Sequence, residues 1–228
     1  MTFDMSRRTR VALIVPSSNT VMENDLHAAL PKSGYTVHTD RMYLVETTRE
    51  AEIRMIEEFA PAAASDLGTA KPDVLVFGCT SAGSLFGLDY DARVCRELGE
   101  RAGCRGMGVI SSVAAALDRH RPKRLAVITP YNEDLTQAVA CAATVAGREV
   151  VGAYGMGITD NEALAAPTPA EIVGFAKGRL AGHAFDALFV SCTNYRAYEA
   201  RPMLEDAFGV PVVTSNSAVI DALLALRA

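Results

Sequence analysis

The chain repeats itself once. Val11-Ala-Leu-Ile-Val-Pro16 is matched by Leu125-Ala-Val-Ile-Thr-Pro130 at an offset of 114, and Val74-Leu-Val-Phe-Gly-Cys-Thr80 by Ala187-Leu-Phe-Val-Ser-Cys-Thr193 at an offset of 113. Two motifs at nearly one offset within 228 residues point to two copies of one structural unit. In each copy the Pro-containing segment precedes the Cys-containing one by about the same distance, 63 residues from Pro16 to Cys79 and 62 from Pro130 to Cys192.

Within each copy, short apolar, β-branched runs alternate with longer amphipathic stretches. The pattern predicts strands over 11–15, 35–40, 73–77 and 106–110, with helices over 20–30, 49–67, 91–102 and 112–120 between and after them. The cycle restarts with strands over 124–128, 149–153, 185–190 and 210–213, and helices over 133–146, 169–180, 195–208 and 217–226. Strands alternating with helices imply an α/β fold, with parallel sheets covered on both faces. No Pro/Gly/Ser-rich linker separates the copies, so they are expected to pack closely.

Composition removes several function classes. Half of the residues are hydrophobic and 21% are charged, an ordinary globular profile, and the formal net charge is −5. There is no basic surplus or patch for nucleic acid; Arg7, Arg8 and Arg10 read as a solvated tail. No apolar run approaches the ~20 residues of a bilayer span, and residues 1–10 carry no signal-peptide core, so no membrane association and a cytoplasmic location are expected. There the five cysteines (79, 95, 104, 141 and 192) stay reduced. With no C-x-x-C pair and no ligand spacing among His27, His38, His120 and His183, no metal site is expected.

Ligands of open parallel sheets bind beyond the carboxyl ends of the strands. Four segments place polar residues there: Pro16-Ser-Ser-Asn-Thr20, Gly78-Cys-Thr-Ser-Ala-Gly83, Thr129-Pro-Tyr-Asn132 and Ser191-Cys-Thr-Asn194. If the halves face each other, all four converge on one cleft. A cysteine at a helix N-terminus sits near the positive end of the helix dipole, which favours the thiolate and lowers the pKa below the free value of ~8.5. That reasoning applies equally to Cys79 and Cys192. Backbone N–H groups after each Cys, with Ser17, Ser18, Asn19, Thr80, Ser81, Tyr131, Thr193 and Asn194, suit a small carboxylate. Neither G-x-G-x-x-G nor a Walker A pattern occurs, which argues against dinucleotides and triphosphates.

Plainer readings stand beside these. Cys95, Cys104 and Cys141 read as small buried hydrophobes. Asn19 reads equally as a cap for the helix that follows it, and Asn132 as an N-cap. Tyr131 could be a core aromatic, although its strand-end position favours the cleft. Asp160-Asn161 reads as a turn.

At these motifs the sequence resembles the aspartate/glutamate racemase superfamily and, within it, the maleate cis-trans isomerases. The carriers are Pro16-Ser-Ser-Asn-Thr-Val-Met-Glu23, Gly78-Cys-Thr-Ser81, Pro130-Tyr131 and Ser191-Cys-Thr-Asn-Tyr-Arg196, and the resemblance spans nearly the whole chain. It implies two Rossmann-like parallel-sheet domains related by a pseudo-twofold axis, with the active site in the cleft between them. It also implies swapped ends, 1–112 plus 210–228 forming the first domain and 113–209 the second. A homodimer, and catalysis without metal or organic cofactor, are likewise implied. Both cysteines are present, whereas arylmalonate decarboxylases work with one.

The mechanism that the resemblance implies is covalent. The Cys79 thiolate adds to an olefinic carbon of maleate, charge passes into the adjacent carboxylate as an enediolate, the new single bond rotates, and elimination gives fumarate. Cys192 acts from the opposite side. Asn19, Tyr131, Thr193 and Asn194, with the N–H groups of Thr80 and Ser81, hold the carboxylates, and Asn161 matches a carboxylate-binding asparagine. Two alternatives remain at this point. One is an amino-acid or hydantoin racemase using the two cysteines as acid and base; the other is a small-carboxylate binding protein without turnover.

Overall fold

The computed structural model describes residues 7–46, 48–144 and 147–227. They form two four-stranded parallel sheets. The first contains β1 (Thr9–Pro16), β2 (Tyr35–Met42), β3 (Val74–Phe77) and β4 (Arg105–Gly108) in the order β2-β1-β3-β4. The second contains β5 (Arg124–Thr129), β6 (Glu149–Gly155), β7 (Ala187–Val190) and β8 (Val212–Thr214) in the order β6-β5-β7-β8. The two orders are the same, and the repeat extends to register: Ile14 lies opposite Phe77 in the first sheet, and Ile128 opposite Val190 in the second. The duplication read from sequence is therefore a duplication of sheet topology.

The first sheet is flanked by α1 (Met22–Ala29), α2 (Arg49–Arg54), a π-helical turn over Met55–Phe59, α3 (Ala60–Gly68), α4 (Thr80–Phe86) and α5 (Leu88–Ala102). Then follow α6 (Val109–His120), α7 (Glu133–Ala143), α8 (Pro169–Leu180), α9 (Ala197–Phe208) and α10 (Ser215–Leu224). Residues 49–68 run as one nearly continuous helix, as the periodicity predicts. α4 is an addition; its four polar or Gly residues in seven give it no apolar stripe to read. The prediction of a helix to 146 reaches Val145 and Ala146, which lie outside the described residues.

The central strands are buried on both faces, which is why they read as unbroken apolar runs. Along β1 the side chains alternate between two cores. Val11, Leu13 and Val15 join the larger one, which continues through the second sheet, and Ala12 and Ile14 join a smaller one. That smaller core holds Leu75 and Phe77 of β3 against Met55, Ala60, Ala64 and Leu98.

The end of the chain corrects one expectation. The resemblance places residues 210–228 in the first unit, but β8 pairs in parallel with β7, Phe189 opposite Val213, and so extends the second sheet. α9 carries the chain directly from β7 to the neighbouring strand β8, whereas α8, a helix of the same length, carries it from β6 past β5 to β7. The chain turns to the first unit only beyond β8. There Tyr35 Oη donates to Leu223 O at 3.0 Å, and Arg227 Nη1 to Arg7 O at 2.8 Å. No helix among the described residues is long and apolar enough to cross a membrane.

Candidate active site

Each of the four polar segments begins where an inner strand ends: β1 leads into Ser17-Ser-Asn19, β3 into Gly78-Cys-Thr-Ser81, β5 into Pro130-Tyr-Asn132, and β7 into Ser191-Cys-Thr-Asn194. Two glycines permit this crowding. A Cβ on Gly78 would come within 2.8 Å of Ile14 O and 2.9 Å of Met22 Sδ; a Cβ on Gly155 would come within 2.2 Å of Tyr131 O. Only a residue without a side chain lets these turns pack so close.

Hydrogen bonds stitch the segments together across the two halves. Asn19 Nδ2 donates to Thr193 Oγ1 at 3.0 Å, and Thr193 Oγ1 donates to Gly78 O at 3.1 Å. Thr20 N donates to Asn194 Oδ1 at 2.9 Å, while Asn194 Nδ2 donates to Asn161 O at 2.7 Å. Asn161 Nδ2 in turn donates to Ser18 Oγ at 2.5 Å. Thr80 Oγ1 donates to Ser215 Oγ at 3.1 Å. Asn19 is not the N-cap of α1, which is Val21; its Oδ1 accepts from Val21 N and Met22 N in the turn ahead of the helix, while its Nδ2 reaches the other half. Asn132 is an N-cap, as read, accepting from Leu135 N at 3.1 Å.

Cys79 is the N-cap residue of α4 and only 2% exposed. Its Sγ donates to Glu52 Oε2 at 3.6 Å and lies 3.4 Å from Ser81 Oγ. The Ser81 hydroxyl donates to the other carboxylate oxygen, Oε1. Glu52 comes from α2 and is fully buried. Burial pushes its pKa up to about 7, against the opposing effect of the bonds from Ser81 and Cys79.

Cys192 is held differently. Its φ of +106° lies in a region that only glycine adopts without strain. Its N–H donates to Ser215 Oγ at 3.0 Å, and its Sγ accepts from Asn194 N at 3.3 Å and from the Tyr131 phenol. The expectation of a lowered pKa at a helix start fails here. α9 begins only at Ala197, so Cys192 sits in a turn, and burial pushes its thiol up to about 12 despite the donors from Tyr131 and Asn194. Desolvation outweighs two hydrogen bonds. Tyr131 is itself buried, and its pKa is pushed well above the usual value by burial first, then by Cys192, Cys79 and Glu52. These four groups therefore share one electrostatic site.

All nine residues singled out from sequence, Asn19, Cys79, Thr80, Ser81, Tyr131, Asn161, Cys192, Thr193 and Asn194, are buried and meet at this junction. The plain readings of the other cysteines need one correction. Cys95 is buried and Cys104 half-buried, but Cys141 is exposed, because it falls on the outer face of α7. Among the described residues no cluster of three or more His, Cys, Asp or Glu could hold a metal ion.

Two groups at the site escaped the reading. Ser215 opens α10 and touches both Thr80 and the Cys192 N–H. Glu52 left a signal: it occupies the apolar stripe of its helix, one turn before Met55 and Ile56, and in line with Ala60, Ala63 and Leu67, all buried. A carboxylate on a core-facing stripe is costly unless partnered, so it marks a site.

A cleft of about 450 Å³ opens beside Tyr131, with Glu46, Asn132, Leu135 and Asp160 in its wall. Glu46 and Asp160 form an isolated antiparallel bridge, joining the loop after β2 to the segment that carries Asn161. Tyr131 is thus shared between the cleft and Cys192. Buried thiols, a buried carboxyl and paired amides suit covalent or acid–base chemistry on a small anionic substrate.

Known proteins share this fold. The family model described as arylmalonate decarboxylase matches residues 11–227. A maleate isomerase of Geobacillus stearothermophilus is 29% identical over 234 residues, covering 96% of this chain and 92% of that protein. A maleate isomerase of Pseudomonas putida is 30% identical over 231 residues, with the same coverage of 96% and 92%. The crystal structure of the maleate isomerase Iso from Pseudomonas putida S16 superposes with a TM-score of 0.89 at 26% identity, over 96% of this chain and 92% of that one.

Proposed function

Because the chain belongs to the arylmalonate decarboxylase family, and within it to the maleate isomerase branch, we propose that it converts maleate, or a close cis-dicarboxylate, to fumarate by covalent addition of the Cys79 thiolate. The observation that carries this reading is the pair of buried cysteines at equivalent strand ends, held by different partners. The Cys79 sulfur attacks one olefinic carbon, and the π electrons move toward the far carboxylate as an enediolate. Rotation about the new single bond then precedes elimination. Cys192, whose pKa of about 12 keeps it a thiol at neutral pH, serves as a donor to the charge that develops. The side chains of Asn19, Tyr131, Asn161, Thr193 and Asn194 and the N–H groups of Thr80 and Ser81 hold the two carboxylates. Binding exchanges some of the bonds these groups make with one another.

The racemase alternative finds less support. A two-base racemase takes a proton from the substrate with one cysteine and returns one from the other, and gains from a matched pair, whereas here Glu52 is hydrogen-bonded to Cys79 and acts on Cys192 through its charge alone. A proton NMR screen in deuterated buffer decides between them, using maleate, aspartate, glutamate, hydantoins and arylmalonates. Conversion of maleate to fumarate is the expected result. Solvent deuterium entering an amino acid or hydantoin while maleate stays unchanged would overturn the reading, and binding without any turnover would do the same.

A further inference from the structure

We propose that Glu52 is a catalytic base: its carboxylate takes the Sγ proton of Cys79, holds it while the thiolate is bonded to substrate, and returns it when the thiolate leaves. The proposal rests on the maleate isomerase reading and adds to it the source of the thiolate.

The geometry carries the argument. Glu52 Oε2 is the acceptor of the Cys79 S–H at 3.6 Å, and Ser81 fixes the carboxylate by donating to Oε1. A fully buried carboxylate costs several kcal/mol unless it is paired. The influences acting on Glu52 are burial and the bonds from Ser81 and Cys79, with no cation among them. The cations of its own helix are engaged elsewhere, Arg54 with Glu58 at 2.8 Å and Arg49 over the Phe86 ring at 4.6 Å. From the other elements, the titratable groups that face it are Cys79 beyond β3, Tyr131 beyond β5 and Cys192 beyond β7. A group so placed, with a pKa near 7, can both take and return a proton at neutral pH.

The step balances. The S–H bond breaks, an O–H bond forms on Glu52 Oε2, and the electron pair left on sulfur becomes the C–S bond. On elimination that pair returns to sulfur and the proton returns with it. Net charge within the Glu52–Cys79 pair is −1 before and after the transfer. The base therefore relocates a charge and does not add one to a cleft that must accept a dianion. Once sulfur is bonded to carbon, both it and Glu52 are neutral beside the enediolate. The duplication shows the specialisation: the position 113 residues after Glu52 is Ala165, so the second half has no counterpart of this carboxylate.

The test uses Glu52→Gln and Glu52→Asp in a Cys141→Ser background, which removes the exposed thiol. Two readouts are taken: kcat/KM on maleate, and the pH profile of Cys79 alkylation by iodoacetamide, mapped by peptide. Wild type should show alkylation rising with a midpoint near pH 7. Glu52→Gln should move that midpoint up by a unit or more and lower kcat/KM by about 10²–10⁴-fold, with Glu52→Asp recovering part of the rate. An unchanged midpoint with kcat/KM within threefold of wild type would overturn the proposal. If Glu52→Gln does not fold, the wild-type profile decides, and no ionisation between about pH 6 and 8 overturns it. Because alkylation needs no maleate, a shifted midpoint in a protein that leaves maleate unchanged would remove the substrate assignment and keep the base.

Discussion

The Tyr131 phenol is hydrogen-bonded to the Cys192 sulfur, and it is the strongest influence holding that thiol's pKa down against burial. Replacing Tyr131 by Phe keeps the ring and removes the donor. The Cys192 pKa should rise further, leaving a weaker acid, and kcat should fall by about 10–100-fold, the worth of one hydrogen bond to a developing charge. Stability should change by no more than about 1 kcal/mol, since Asn194 N still donates to the sulfur. Steady-state kinetics with a urea melt checks both parts; unaltered kcat would remove Tyr131 from the chemistry.

Cys192 stores backbone strain. At φ +106° a Cβ costs on the order of 1–3 kcal/mol, and glycine avoids it while giving back about 0.5–1 kcal/mol through its freer unfolded state. Cys192→Gly should therefore be more stable than Cys192→Ala by about 1 kcal/mol, although both lose most of their activity. Chemical denaturation of the two variants measures the difference. An alanine variant as stable as the glycine one would mean that the turn is relaxed.

Buried Glu52 makes stability depend on pH in a definite direction. Its folded pKa of about 7 lies above the ordinary 4.5, so its stabilising contribution is fully present below pH 4.5 and is lost as pH rises through 7. Glu52→Gln has no charge to bury. Its stability relative to wild type should rise between pH 5 and pH 8 by about 1–3 kcal/mol, even as its activity falls. Thermal melts at the two pH values test this. A constant difference would show that Glu52 is not desolvated in the folded state.

Asn19 and Asn132 both lie in the turns that follow the matched strands β1 and β5; Asn132 is the N-cap of α7, whereas Asn19 accepts from Val21 N and Met22 N ahead of α1 and bonds the opposite half at Thr193. Asn132→Ala should cost about 1 kcal/mol, a lost cap, whereas Asn19→Ala should cost about 2 kcal/mol, the turn bonds from Val21 N and Met22 N plus the buried bond to Thr193. Equal losses would mean that the Asn19–Thr193 bond contributes nothing to joining the halves.

Much of this was legible in the sequence because the repeat and the strand ends are short-range signals. Val11–Val15, Val74–Phe77, Leu125–Ile128 and Ala187–Val190 are apolar enough to be strands on sight, and the polar turns follow them directly. What escaped depends on chain packing. Cys79 and Cys192 look alike in sequence, and only the fold gives one a carboxylate and the other a phenol. Glu52 lies 27 residues before Cys79 on a helix read for its apolar face, where one acidic residue looks like noise. The partner of β8 is a matter of strand order, which neither its own residues nor the length of the helix before it encodes: α8 and α9 are equally long, yet only α9 joins neighbouring strands. The exposure of Cys141 turned on which face of α7 meets the sheet.

The central claim is that Cys79 is the nucleophile that turns a cis-dicarboxylate into its trans isomer. Its most direct test is fumarate formation from maleate, followed by proton NMR, for wild type, Cys79→Ala and Cys192→Ala side by side. The account predicts conversion by wild type, none above background for Cys79→Ala, and a rate reduced by at least about 10²-fold for Cys192→Ala. Full turnover by Cys79→Ala, or no fumarate from wild type, would contradict it.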